Sequence, residues 1–408
     1  MNYKLYNWIW KWHFIGGLVS LPIVLLLSIT GIIYLFKDNY ELREKAVYKK
    51  VEVLGTRLSF QEQWDMVKES AKPSAVILPQ VEEEATEFVS GRFSNKSSVF
   101  VNPYSGSITG NYQLNKTNLF KVRKLHGELL LGKFGTKVVE LVASWMVVLI
   151  ITGVYLFWPR ERGWKGLFTV RFNLSKRILY RDLHAVFGFW FSAILLLILA
   201  GGLPWTDVWG TSYKWVRELT DSGITKEWKG RGLKSDAKGS SISLDKMLTK
   251  AKALNLDGEV SIGLPKSSEG VYSVSNETSN LETMQKYHFD QYSGVELYHG
   301  TWKDIGVMRR ARLWVMTFHQ GQFGFWNWLL VLFTAIALVF MSVTALLSYL
   351  KRKKKGEWNV PEVPISFVIG KGLLLLLVLL ALFLPMFGIS LVFIYFVEKL
   401  RRKKFSNS

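Results

Sequence analysis

Six histidines and no cysteine carry the transition-metal chemistry open to this 408-residue chain. Without cysteine there are no disulfides, thiolate nucleophiles, iron–sulfur clusters or cysteine zinc sites, and no haem attached through Cys-x-x-Cys-His. Four of the histidines share one setting: each precedes or opens a long apolar run, with glycine close behind. The segments are Trp12-His13-Phe-Ile-Gly16-Gly17, Leu125-His126-Gly127, Leu183-His184-Ala-Val-Phe-Gly188 and Phe318-His319-Gln-Gly321. Two facing imidazoles with no thiolate or carboxylate partner suit the axial positions of a b-type haem, one ligand above and one below a flat ring. Zinc needs three or four converging ligands, more than a pair of histidines supplies. For any one of the four, an interfacial histidine paired with lipid headgroups is the ordinary alternative. Four in symmetric positions argue against it.

The elements that must position them are membrane helices. Uncharged apolar runs fall at roughly 14–36, 138–158, 186–203 and 325–350, with a longer one at 367–397; a bilayer crossing takes about 20 residues. The first run exceeds a signal-peptide core and lacks a small-x-small cleavage site, so it is read as a retained helix. Lys and Arg collect on the cytoplasmic side of short loops. The basic segment Pro159–Asp182, the linker Lys351–Lys355 and the tail from Lys399 therefore belong inside. This makes a multi-pass chain with both termini cytoplasmic. It places His13 and His184 near the cytoplasmic face and His126 and His319 near the external one. The expected division is membrane helices within 1–36, 123–158, 183–204 and 313–350, and external modules at 37–122 and 205–312. A cytoplasmic loop at 159–182, a linker at 351–364, a membrane hairpin at 365–400 and a tail at 401–408 complete it. The hairpin rests on Leu384-Pro385-Met386-Phe387-Gly388, where proline cannot continue a helix; one long tilted helix is the alternative. The formal charge of +20 is thus partly a topological signal and does not call for nucleic acid. Trp8, Trp10, Trp12, Trp158, Trp205, Trp209, Trp326 and Trp328 lie at predicted membrane edges, as an aromatic belt requires. Trp145 and Trp190 fall deeper and read as packing residues.

The chain also repeats itself. Leu58-Ser-Phe opens an amphipathic segment, followed by Val76-Ile-Leu-Pro79, the strand Ser98-Val-Phe-Val and the turn Asn102-Pro-Tyr-Ser-Gly106. Ile242-Ser-Leu, Ile262-Gly-Leu-Pro265 and Tyr287-His-Phe-Asp-Gln-Tyr-Ser-Gly294 follow in the same order. Each polar stretch reads as a small α+β module with a hairpin turn at Tyr-Ser-Gly. The flanking histidines recur at nearly equal intervals, so the unit of helix, external module and helix occurs twice. A two-fold axis along the membrane normal then pairs His13 with His184 and His126 with His319.

Haem propionates need cations, and Arg can bind carboxylate bidentately. Lys11, Arg123, Lys124, Arg181 and Arg312 precede the four histidines. On the cytoplasmic side Lys11 and Arg181 are equally explained by the charge bias, while outside that bias does not apply. Snorkelling fits all of them. His288, aligned with Phe100, and His299 read as surface histidines.

These residues together resemble the PepSY-associated transmembrane family, and within it the iron-regulated ferric-siderophore reductases of the bacterial inner membrane. The likeness covers residues 1 to about 350, and the terminal hairpin more loosely. It implies a membrane oxidoreductase holding two b-type haems, ligated by His13, His184, His126 and His319, that passes electrons outward to Fe(III) in a siderophore. Tyr104-Ser-Gly and Tyr292-Ser-Gly match the family's turn and are structural. No Gly-x-Gly-x-x-Gly is present, so electrons are expected from a quinol or a separate cytoplasmic reductase. Two other readings stay open: a haem-free regulator or transporter adaptor, and a haem reductase serving another periplasmic acceptor.

Overall fold

Backbone in lipid has no hydrogen-bond partner but itself, so apolar runs of this length fold as helices. The computed structural model describes residues 3–81, 83–159, 163–354, 356–363 and 367–406. Arg160, Glu161, Arg162 and Lys355, used above for topology, lie outside them. The helices in chain order are α1 (Tyr3–Tyr34), α2 (Lys37–Lys49), α3 (Phe60–Val67), α4 (Asn118–Glu128), α5 (Gly132–Phe157) and α6 (Lys176–Gly202). Then come α7 (Val208–Leu219), α8 (Leu244–Ala253), α9 (Val307–His319), α10 (Phe325–Arg352), α11 (Lys371–Phe383) and α12 (Pro385–Ser406). The chain forms two units. Residues 1–35, 122–216 and 315–408 make a helical unit, and residues 36–121 and 217–314 a sheet unit.

In the helical unit α1, α5, α6 and α10 are long and apolar enough to cross a membrane. They close a ring in which α1 packs on α5 and α10, and α6 packs on the same two. Short helices stand before two of these spans. After α4 the chain turns through Leu129 and Leu130 at φ 50° and 59°, and after α9 it turns through Gly321 and Gly324 at φ 69° and 96°. The last apolar run breaks at Leu384 into α11 and α12, which pack on each other, so the long tilted helix is not formed. Leu384 and Phe387 at this break are buried against Val148 and Leu203. With 13 residues, α11 is about 20 Å long, short of the ~30 Å hydrocarbon layer. Glu140, a fully buried acid on α5, accepts the backbone N–H groups of Val208 and Trp209 at 2.8 and 2.9 Å and so anchors the start of α7.

The sheet unit corrects one expectation. Its strands are β1 (Ala75–Ile77), β2 (Thr86–Ser90), β3 (Ser97–Val101), β4 (Ile108–Gln113), β5 (Glu259–Gly263), β6 (Val271–Glu277), β7 (Gln285–Asp290) and β8 (Glu296–Thr301). They do not form two separate modules. They form one eight-stranded sheet in the order β4-β3-β2-β1-β5-β6-β7-β8. The joint is the antiparallel pair β1–β5, with Val76 opposite Ile262. Alone, each four-strand meander would leave that edge unpaired. α3 and α8 cover one face together, and their starts are interlocked. Asp245 accepts from Phe60 and Gln61 N–H at 2.8 and 3.1 Å, and Gln61 Oε1 accepts from Leu244 N–H at 2.9 Å. Phe60, Val67, Leu244, Met247, Phe88, Val101, Ile262 and Val274 share one core across the joint.

The hairpin turns match in detail. Asn102 Oδ1 accepts from Tyr104 and Ser105 N–H, and Asp290 Oδ1 accepts from Tyr292 and Ser293 N–H. Each turn closes on a left-handed glycine, Gly106 at φ 72° and Gly294 at φ 69°, a conformation glycine adopts without strain.

Candidate functional site

All four helix-associated histidines lie in the helical unit, in two pairs. The rings of His13 on α1 and His184 on α6 have centroids 6.4 Å apart and cross at 75°. Those of His126 on α4 and His319 on α9 are 6.3 Å apart and cross at 68°.

Each ring is tied by Nδ1. His13 bonds Thr152 Oγ1 at 2.9 Å and His126 bonds Thr30 Oγ1 at 3.0 Å. His184 bonds the Met341 carbonyl at 3.0 Å and His319 the Ile198 carbonyl at 2.8 Å. These partners assign the tautomer. A carbonyl can only accept, so Nδ1 of His184 and of His319 carries the proton. The hydroxyls of Thr152 and Thr30 already donate, to Val148 O at 2.7 Å and Leu26 O at 2.8 Å. They therefore accept from Nδ1–H as well. In every case Nε2 is left as the uncommitted lone pair, the arrangement by which a protein orients imidazole for a metal.

Sequence reasoning missed the two threonines. The signal was present in Ile29-Thr30-Gly31-Ile32 and Ile151-Thr152-Gly153-Val154, near the ends of two apolar runs. The glycines have a steric role beside the threonines. A Cβ at Gly153 would stand 3.2 Å from His13 Cε1, and one at Gly31 would stand 3.4 Å from His126 Cε1.

The set fits a bis-imidazole haem iron. With metal–nitrogen bonds of about 2.0–2.1 Å and rings about 1.1 Å in radius, an iron between two imidazoles holds their centroids about 6.3 Å apart. Each imidazole keeps part of its surface accessible, so packed side chains do not enclose it fully. Among the described residues no three His, Asp or Glu side chains gather as a metal site, which leaves the imidazole pairs as the candidate ligands. α1 carries His13 for one pair and Thr30 for the other, and α6 carries His184 and the Ile198 carbonyl. Seventeen and fourteen residues of helix place the pairs about 21–26 Å apart along the bundle.

The expected cations separate by helix face. Arg123 and Arg181 stand three residues before His126 and His184, and Arg312 stands seven before His319, each on its histidine's side of the helix. Lys11 and Lys124, two residues before theirs, lie on the opposite side. Lys11 sits over the Trp12 ring at 5.8 Å, and Lys124 pairs with Glu128 at 2.6 Å. Arg181 pairs with Asp182 at 3.1 Å, where Arg171 also binds at 2.7 Å. Trp145 packs on Phe387 and donates to Ser390 Oγ, and Trp190 donates to the Leu167 carbonyl.

His299 is exposed, stacked on Tyr287 at 4.0 Å. His288 is not a surface residue: it is 1% exposed. Nδ1 meets Ser273 Oγ at 2.8 Å and Nε2–H donates to the Trp228 carbonyl at 3.2 Å. An alternating strand pattern hides a polar residue buried with both nitrogens satisfied. Burial holds His288 below the ordinary imidazole value. The unfolded chain therefore takes up a proton at higher pH than the folded one. The stability His288 gives by staying neutral is present above about pH 6.5 and is lost as pH falls below it, with a slope approaching about 1.4 kcal/mol per pH unit. Thermal melts of the full chain from pH 7.5 to 5 should show this fall, and it should be smaller in His288→Phe, which carries the residue found at position 100.

A ring of apolar helices with paired imidazoles at two levels defines a polytopic membrane protein with two candidate metal-ligand sites. The family model for the PepSY-associated TM region matches residues 10–352, and the chain belongs to that family. No curated protein matches it.

Proposed function

We propose that this chain carries electrons across the bacterial cytoplasmic membrane through two b-type haems, one on His13 and His184 and one on His126 and His319. Its task on this reading is to reduce ferric iron held by a siderophore at the external face. The observation that carries the proposal is the common state of the four imidazoles: paired at 6.3–6.4 Å, with every Nδ1 engaged. Bound haem supplies one-electron Fe(III)/Fe(II) chemistry. The chain supplies ligand orientation through Thr30, Thr152 and two carbonyls, and cations at the His126–His319 pair through Arg123 and Arg312. The apolar ring keeps water and ions from the path between the two levels. A quinol or a separate cytoplasmic reductase donates the electrons, and both termini lie inside.

The parallel order of elements in the two halves supports an origin by internal duplication, which would make the imidazole pairs two products of one design. The purified chain should be coloured, with a reduced-minus-oxidised b-type spectrum and two haems per chain. A colourless protein from haem-replete cells would replace this reading with the haem-free regulator or adaptor. Mixing the dithionite-reduced form with a ferric siderophore should reoxidise it. Reoxidation only by some other oxidant would change the acceptor and keep the haems.

A further inference from the structure

At the His13–His184 end of the helical unit one guanidinium has aromatic neighbours and no anion. Arg352, the last residue of α10, lies 4.6 Å from the Phe14 ring centroid, 5.4 Å from Trp10 and 5.9 Å from Tyr349. Trp10 stands three residues before His13, on the same side of α1, and Phe14 follows His13 directly. Contact with three rings stabilises the cation without engaging its N–H groups as donors, and a guanidinium can bind a carboxylate bidentately.

The surrounding helices offer no acid to that guanidinium. α1 and α10 contain no Asp or Glu. The acid of α6, Asp182, is held by Arg171 and Arg181, and that of α5, Glu140, by two backbone N–H groups. A second cation stands close by. The Arg177 carbonyl accepts from the Ser348 hydroxyl at 3.3 Å, one turn before Arg352. Arg177 is also seven residues before His184, on the same helix face and about 10 Å along the axis. Among the described residues neither arginine has an ion pair with a carboxylate. Two cations at this end of the helical unit offer a site for an external anion.

We propose that Arg352, held by Trp10, Phe14 and Tyr349, is the carboxylate-binding residue for the haem of the His13–His184 pair, with Arg177 as the second cation, in place of Lys11 and Arg181. The inference rests on the haem reading above. The anion it assigns is a haem propionate; a lipid phosphate could meet the same groups.

The test reconstitutes the haem-depleted full chain in nanodiscs with haem or with haem dimethyl ester, in neutral or anionic lipid, and titrates both haems potentiometrically. Reduction removes a positive charge from the iron, so a nearby cation favours the reduced form. Arg352→Gln should weaken reduction of one haem about tenfold, a 59 mV shift to more negative potential for one electron, and leave the other in place. Arg352→Lys, which keeps the charge without the fork, should shift it less, and Arg177→Gln should shift the same haem in the same direction. With the dimethyl ester, which offers the guanidinium no carboxylate to hold it at the haem edge, the difference between wild type and Arg352→Gln should shrink. Unshifted potentials in Arg352→Lys and Arg177→Gln overturn the inference even if Arg352→Gln does not fold. A shift that persists with the ester and follows anionic lipid overturns it in favour of lipid phosphate. A wild-type chain that takes up no haem overturns the underlying reading, a result distinct from either.

Discussion

Replacing His319 with alanine is expected to remove one of the two haem signals, about half the bound haem, and to leave the other; His184→Ala should do the converse. The two pairs share no ligand, and about 21–26 Å of helix separates them. With one imidazole gone, a haem at that pair would be held by a single protein ligand and would bind more weakly. On the proposed function either substitution should also reduce transmembrane electron flow to background, because each haem would carry one step of the path. The orienting residues should matter less. Thr152→Val removes the acceptor for His13 Nδ1–H and should weaken binding at that pair about 10–100-fold, the usual cost of losing such a partner. Spectra of the purified variants, with haem counted per chain, decide this. Loss of both signals from a folded single variant would contradict independent sites. Full retention after alanine replacement of each of His13, His126, His184 and His319 in turn would mean that these imidazoles are not ligands.

The second large effect is steric. Gly201→Ala is expected to destabilise the helical unit and to disrupt the His126–His319 pair. A Cβ at Gly201 would stand 2.5 Å from His319 Cβ and 2.5 Å from the Val315 carbonyl oxygen. One of these is backbone, which cannot swing away, so α9 must move off α6. That movement breaks the bond between His319 and the Ile198 carbonyl. Overpacking of this kind costs about 1–3 kcal/mol. Gly127→Ala, beside His126, is the control. Nothing lies within 4 Å of a Cβ there, and alanine is about 1 kcal/mol better than glycine in a helix. Thermal unfolding should separate the two variants. Equal melting temperatures would mean that α6 and α9 yield freely at Gly201.

The histidine pairing was legible because charge fixes topology and the repeat fixes partners. Lys and Arg in short loops set which helix end lies on which side, and the two halves set which histidine answers which. The threonines were not legible. A Thr in an apolar helix ordinarily bonds its own preceding turn, as Thr30 and Thr152 both do; their second role depends on a neighbouring helix. The β1–β5 joint was hidden for a similar reason. Ala75-Val-Ile and Ser261-Ile-Gly are short, and nothing local says that they meet. The burial of His288 follows from the segment Glu227–Lys229, which brings the Trp228 carbonyl to it. The matching Phe100 is covered instead by Tyr48 of α2, with ring centroids 5.7 Å apart. One strand pattern thus buries two different residues under unrelated covers.

The joint at β1 also sets an order of events during synthesis. Ala75–Ile77 leaves the ribosome with one hydrogen-bonding edge empty, and its partner Ser261–Gly263 follows about 190 residues later, some 10–40 s at about 5–20 residues per second. Two membrane helices, α5 and α6, are made in that interval. The first meander must therefore wait half-built while the bundle assembles, and the three-residue length of β1 limits how much edge it offers to other chains during that wait.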